Sequence, residues 1–218
     1  MDRILWITER YPPDAGGMAV SCARQVSGLR RRGVAVDVVA FTTVGEDEKS
    51  GGVRLRERDC GIDLLLDPQM HPGAALQLAW RHIYIRNEQT KYDIAVGFGA
   101  NLPGYAATTW AARLGAASAV LVRGNDFDRD WCDNRRGFMV GEAFARADAI
   151  GAVTPEKAAW IKSLYPAADV RWTQNGIDAP AWELLTADHE IRDALRSELS
   201  AEGRRVVGIF GELKYKKR

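Results

Sequence analysis

The 218-residue sequence has few cysteines and few histidines, three of each. Cys22, Cys60 and Cys132 are odd in number and widely spaced, which excludes a disulfide framework and favours a reduced, cytoplasmic protein. His71, His82 and His189 are dispersed, with no cysteine pair beside them, so the ligand spacing of a zinc site is missing. A surplus of charge is missing too. Thirty Lys and Arg face 29 Asp and Glu, leaving a formal net charge of +1 and no basic footprint for a nucleic-acid partner. No apolar run approaches the length that spans a membrane, and the one preceding Glu9 is too short for a signal peptide. There is no internal repeat and no low-complexity linker.

What is present is ordinary globular composition, 46% hydrophobic and 27% charged, enough for a substantial core. Apolar runs that read as buried strands recur at Ile4–Ile7, Val34–Phe41, Ile94–Phe98, Ser118–Val122, Ala149–Val153, Val170–Thr173 and Val206–Phe210. Stretches of helical periodicity lie between most of them. Ala19, Cys22, Ala23, Val26 and Leu29 mark one helix, residues 74–88 and the alanine-rich 103–114 two more, and Thr154-Pro155 opens another over 155–164. This alternation predicts an α/β fold, a Rossmann-like parallel sheet with helices on both faces. Residues 42–60 are the polar exception, read as a loop and a short edge hairpin. Residues 188–202 predict a last helix. The run Arg204–Gly211 then reads as a strand opening a new unit, so the expected division is a domain over 1–203 and the truncated start of a second over 204–218.

Four stretches carry candidate chemistry. Tyr11-Pro-Pro-Asp-Ala-Gly16-Gly17 joins the first strand to the first helix, and paired glycines there leave the helix N–H groups uncovered for an anion. A tight strand-to-helix turn is the plain alternative. Asp93-Ile-Ala-Val-Gly97-Phe-Gly99 leads towards Gly104 with a spacing that does not match the dinucleotide fingerprint. Arg123-Gly-Asn125-Asp126 follows a buried strand, at the carboxyl edge where open α/β sheets bind ligands. An arginine there can clamp a phosphate or carboxylate in two parallel hydrogen bonds, or form an ion pair with a neighbouring aspartate. Asp126-Phe-Asp128 also fits the D-x-D pattern that holds a divalent ion, though it reads equally as a solvated turn. Last, Asn175-Gly-Ile-Asp178 has the form of a turn with an aspartate helix cap.

In this order, with Val153-Thr-Pro-Glu-Lys157 and Gly208-Ile-Phe-Gly-Glu-Leu-Lys-Tyr-Lys-Lys217 between and after them, these stretches resemble the N-terminal half of the GT-B-fold retaining glycosyltransferases. The group is the glycogen-synthase-like and mannosyltransferase-like one, glycosyltransferase family 4. The resemblance covers essentially the whole chain. It implies transfer of a sugar, with retention, from a nucleotide-diphosphate donor to a hydroxyl of a carbohydrate or lipid-linked acceptor. It implies no metal and no cofactor, and a donor-binding C-terminal domain without which the chain is inactive. Carried onto this sequence, Arg123 and Asp126 become the expected catalytic residues. Gly16, Gly17, Gly97, Gly99, Asn125, Asn175 and Lys217 become the expected substrate contacts. Three positions depart from the family pattern: Arg123 stands where many members have His, Glu212 where arginine is frequent, and Arg218 follows Lys217 where glycine is usual. Leu76, Trp80, Ile83 and Tyr84, flanked by Arg81 and Arg86, form a stripe that fits either the core or a peripheral membrane contact. Two other classes stay open: a metal-dependent transferase using Asp126 and Asp128, and a nonenzymatic sugar-binding domain.

Overall fold

The computed structural model describes residues 3–42, 52–67, 69–177, 179, 183–199, 203 and 205. The chain divides into two compact units, Met1–Gly176 and Ile177–Arg218. The first is built on an eight-stranded sheet in the order β3-β4-β2-β1-β5-β6-β7-β8. Its strands are β1 (Arg3–Thr8), β2 (Ala35–Phe41), β3 (Val53–Arg58), β4 (Gly61–Leu66), β5 (Ile94–Phe98), β6 (Ala117–Val122), β7 (Ala149–Ala152) and β8 (Val170–Trp172). Every neighbouring pair is parallel except β3 with β4. Helices α1 (Gly17–Arg30), α2 (Pro72–Gln89), α3 (Leu102–Leu114), α4 (Asn125–Asp128), α5 (Arg136–Arg146) and α6 (Pro155–Leu164) connect them.

Period-two alternation along the strands sends side chains to two cores. Trp6, Val36, Val38, Ala40, Val96 and Phe98 meet Cys22 and Val26 of α1 on one face. On the other, Leu5, Ile7, Val39, Leu64 and Ala95 meet Ala75, Ala79 and Ile83 of α2 and Ala106, Ala107 and Trp110 of α3. A third cluster joins β6 and β7 to α5 and α6 through Val120, Val122, Phe144, Ile150 and Ile161, with Phe127 at its centre. Helices thus cover both faces, as the alternation predicts.

The predicted hairpin is present but reaches further than residues 42–60. Its second strand, β4, pairs with β2 in parallel and is fully part of the sheet, while β3, the outermost strand, carries Arg54, Arg56 and Arg58. Asp63 is what hides β4 in the sequence. Its buried carboxylate accepts hydrogen bonds from Arg30 at 2.8 Å and Arg58 at 2.6 Å, so a charge sits inside an otherwise apolar strand. Asp37 of β2 plays a similar part. It accepts from Arg3 (2.6 Å), Arg86 (3.0 Å), the Tyr92 hydroxyl (2.7 Å) and the Ile62 amide (2.9 Å), tying β1, β2, β4 and α2 together.

The α2 stripe divides. Ile83 is buried, Leu76 and Trp80 pack on the core edge, and Tyr84 is exposed. No helix among the described residues is long and apolar enough to cross a membrane. In the second unit, α7 (Thr186–Glu198) occupies most of the predicted last helix and exposes Ile191 and Leu195. The predicted strand at 206–210 lies outside the described residues.

Candidate active site

The order of the strands reverses direction at β1: β2 lies on one side of it and β5 on the other. In open α/β sheets the crevice at the carboxyl ends of such strands receives ligands. Here those ends are followed by Glu9–Gly16, by Gly99–Asn101 and, beyond β6, by Arg123–Asp130.

The first of these loops is pinned. Thr42 donates its hydroxyl hydrogen to the Tyr11 carbonyl at 2.7 Å, the Asp14 amide donates to Tyr11 at 3.0 Å, and the Asp14 carboxylate pairs with Arg10 at 3.2 Å. Gly16 then enters α1 with φ 124°, which L residues rarely adopt. Among the described residues no side chain caps this helix, and its first turn holds no acidic residue. A side chain at Gly16 or Gly17 would meet nothing within 4 Å. The positive end of the helix is therefore open.

One turn further along α1, Ser21 receives the Arg123 guanidinium, which donates to its hydroxyl at 3.0 Å and also to the Asn175 side chain. The same guanidinium lies 4.7 Å over the Phe98 ring. Burial pushes its pKa below the ordinary arginine value, opposed by Asp126 and Cys22. The alternative of an ion pair with a neighbouring aspartate takes another form at Asp126, whose carboxylate accepts from the Arg123 backbone amide, at 3.0 and 3.1 Å, and from the Ala100 amide at 2.9 Å. Burial raises the Asp126 pKa, with those backbone hydrogen bonds pulling it down. Asp126 thus joins the loops after β5 and β6. Its D-x-D companion Asp128 pairs elsewhere, with Lys157 of α6.

The structure therefore brings Gly16, Gly17, Arg123 and Asn175 to one edge of α1, with Asp126 behind them. Gly97 is differently placed. A Cβ there would lie 2.6 Å from the Gly104 Cα and the Pro103 carbonyl oxygen, so this glycine lets α3 pack directly on β5, and its expected role as a substrate contact gives way to packing. Gly99, with φ 129°, is buried and donates its amide to the Leu121 carbonyl at 2.9 Å. Asn125 opens α4, and Lys217 lies outside the described residues.

Beside this edge is a cavity of about 430 Å³, reached by Met18 of α1 and by Glu9, Phe41, Asn101 and Asp130 from four different loops and strand ends. Asp130 is buried and accepts from Asn101 Nδ2 (2.7 Å), Arg129 (3.0 Å) and Arg136 (3.2 Å). Burial raises the Glu9 pKa above the ordinary carboxylate range, opposed by Arg136, Asn101 and Arg10. Sequence reasoning passes over Ser21, Phe98, Glu9, Asn101 and Asp130. The one local signal for them is position, since Glu9 directly follows β1 and Asn101 precedes the Leu-Pro start of α3.

The sequence model of the glycosyl transferase 4-like domain family matches residues 16–176, the greater part of the chain. No curated protein sequence matches. Among solved structures, the catalytic domain of starch synthase IV from Arabidopsis thaliana, bound to ADP and acarbose, superposes with a TM-score of 0.57 at 15% identity, over 90% of this chain and 59% of that one. Sucrose-phosphate synthase from Thermosynechococcus elongatus gives 0.52 at 13% identity, over 91% of this chain and 99% of that one. Apo UGT2 of Phytolacca americana gives 0.51 at 13%, over 84% and 55%. The chain thus spans little more than half the length of the starch synthase domain and of UGT2. At these identities the likeness is one of fold.

Proposed function

Because the chain belongs to the glycosyl transferase 4-like domain family, we propose that it is the acceptor-side half of a retaining glycosyltransferase that moves a sugar from a nucleotide-diphosphate donor to a hydroxyl. The observation that supports this reading best is the open N-terminus of α1 with Arg123 held one turn away by Ser21 and Asn175. Departure of the diphosphate is the demanding part of such a reaction, because charge builds on its oxygens. Preorganised amides and a guanidinium stabilise that charge most where water is scarce. In this reading Gly16 and Gly17 keep the approach to the helix amides clear. Arg123, stacked on Phe98 and held at Ser21, meets the diphosphate or the hydroxyl that attacks. Asp126 holds the loops that carry these groups and is a positioning residue.

The donor's base and ribose are held by a second domain, so that residues 1–218 alone neither transfer sugar nor bind nucleotide sugars tightly. Calorimetric titration of the 218-residue chain with UDP-, GDP- and ADP-sugars, beside a transfer assay, tests this. Extension through a donor-binding domain restores both activities without added metal. Robust turnover by residues 1–218 would overturn the half-enzyme reading, and turnover strictly dependent on manganese would reassign the chemistry to Asp126 and Asp128.

A further inference from the structure

The cavity beside α1 has a polarity that does not suit an anion. Each guanidinium at its wall already faces a carboxylate, Arg10 with Asp14 at 3.2 Å and Arg129 and Arg136 with Asp130 at 3.0 and 3.2 Å. What remains open is a pair of acceptors. Asn101, 4% exposed, turns its Nδ2 to Asp130 and towards Glu9, while its Oδ1 is buried without a hydrogen-bond partner. Among the described residues no ion pair closes on Glu9, whose carboxylate lines the same space. A buried carbonyl oxygen without a donor is unfavourable, and a ligand that supplies one removes the penalty. A phosphate or carboxylate supplies only acceptors, and it would approach Glu9, Asp67 and Asp130 against their charge. Met18, Phe41 and Leu102 add apolar wall, against which the C–H face of a sugar ring can lie.

Resting on the acceptor-half reading above, we propose that this cavity receives a neutral, hydroxyl-rich acceptor, and that Glu9 and Asn101 select it by accepting hydrogen bonds from its hydroxyls. Arg123 then serves the diphosphate side, and an anionic acceptor is not required to explain it. Glu9 is a specificity residue. It touches the acceptor and leaves the donor untouched.

The test uses the ¹⁵N-labelled 218-residue chain and a panel of free sugars. Methyl α-glucoside, methyl α-mannoside and methyl α-galactoside form the neutral arm, glucose 6-phosphate and glucuronate the anionic one. At least one neutral glycoside shifts the amide signals of Met18 and of Ala100–Leu102, and the anionic sugars at the same concentration do not. Glu9→Gln weakens that binding about tenfold, the loss of one charge-assisted hydrogen bond. Its melting temperature stays at or above that of the parent, because a half-buried carboxylate with no ion-pair partner among the described residues has been removed. Three results would overturn the proposal: anionic sugars shifting those signals in place of neutral ones, unchanged affinity in Glu9→Gln, or no shift with either arm. The broader reading fails separately, when neutral glycosides occupy the cavity but the chain extended by a donor-binding domain transfers sugar to none of them.

Discussion

Gly97 and Gly17 both enter from the sequence as expected substrate contacts, and the structure separates them. An added Cβ at Gly97 would lie 2.6 Å from the Gly104 Cα, 2.6 Å from the Pro103 oxygen and 2.7 Å from the Gly104 nitrogen. All three are backbone atoms, so no rotamer change relieves the contact. Carbon atoms pack best at about 3.5–4.0 Å, so α3 must move away from β5 by roughly 1 Å. That motion is resisted on the side of α5, whose Ala143 Cβ already lies close to Gly104. Overpacking of this kind costs about 3 kcal/mol, the upper end of the usual range. For a domain of this size each kcal/mol lowers the melting temperature by about 2–4 °C, so Gly97→Ala melts about 6–12 °C below the parent. Gly17→Val, whose Cβ meets nothing within 4 Å, melts within about 2 °C of the parent. On the proposed reading, it abolishes transfer by the chain extended with a donor-binding domain, because it blocks the helix N-terminus. Thermal unfolding followed by far-UV circular dichroism, with a transfer assay, reads both. Should Gly97→Ala melt within about 2 °C of the parent, the close-packing argument is wrong. Wild-type turnover in Gly17→Val would reduce the Gly16-Gly17 loop to a turn.

Two further outcomes are expected. In the chain extended by a donor-binding domain, Arg123→Ala lowers kcat/KM by more than about tenfold and Arg123→Lys recovers it in part, because an ammonium lacks the planar group that stacks on Phe98 and offers further donors beyond the nitrogen held by Ser21 and Asn175. Equal activity with a lowered melting temperature would make Arg123 purely structural. Asp37→Asn destabilises by about 3 kcal/mol at neutral pH, since it breaks a buried ion pair and leaves Arg3 and Arg86 facing a neutral group. Burial alone would push the Asp37 carboxyl up, but Arg86, Tyr92 and Arg3 hold it below its ordinary value. A depressed folded pKa means stability present above the unfolded value, near about 3.9, and lost as pH falls through the folded one. The gap between parent and Asp37→Asn in denaturant midpoint therefore narrows below about pH 4; a gap independent of pH would refute the ionic account.

Periodicity makes the layered α/β fold legible, because a parallel strand buried on both faces is an apolar run and the covering helix repeats every three to four residues. Where a charge enters the core that signal fails, as with Asp63 in β4. It fails again at α5, where Arg135-Arg136-Gly137 and Gly141 dilute a helix that nevertheless buries Val140, Ala143 and Phe144. The edge of α1 is legible for a local reason, since Gly16, Gly17 and Arg123 each follow a strand. The role of Gly97 is not, because it is decided by Gly104 approaching across a turn of chain. Nor is the cavity, since Glu9, Asn101 and Asp130 are far apart in sequence and meet only when the ends of their strands are laid side by side. Its chemistry rests on which hydrogen bonds are already taken, a property that no residue carries alone.

The two outermost strands of the sheet bear on how the protein behaves in a crowd of its own copies. An open sheet leaves a row of unpaired amides and carbonyls at each border, a template for aggregation. At one border β3 reads Val-Arg-Leu-Arg-Glu-Arg, so any strand adding there must bring its backbone past three guanidinium side chains. At the other, β8 has only three residues, with Arg171 in the middle. One border is guarded by charge and the other by brevity. Replacing Arg54 and Arg56 with valine, and keeping Arg58 on Asp63, would leave the edge of α1 and the cavity beside it untouched and open the chain to growth by strand addition.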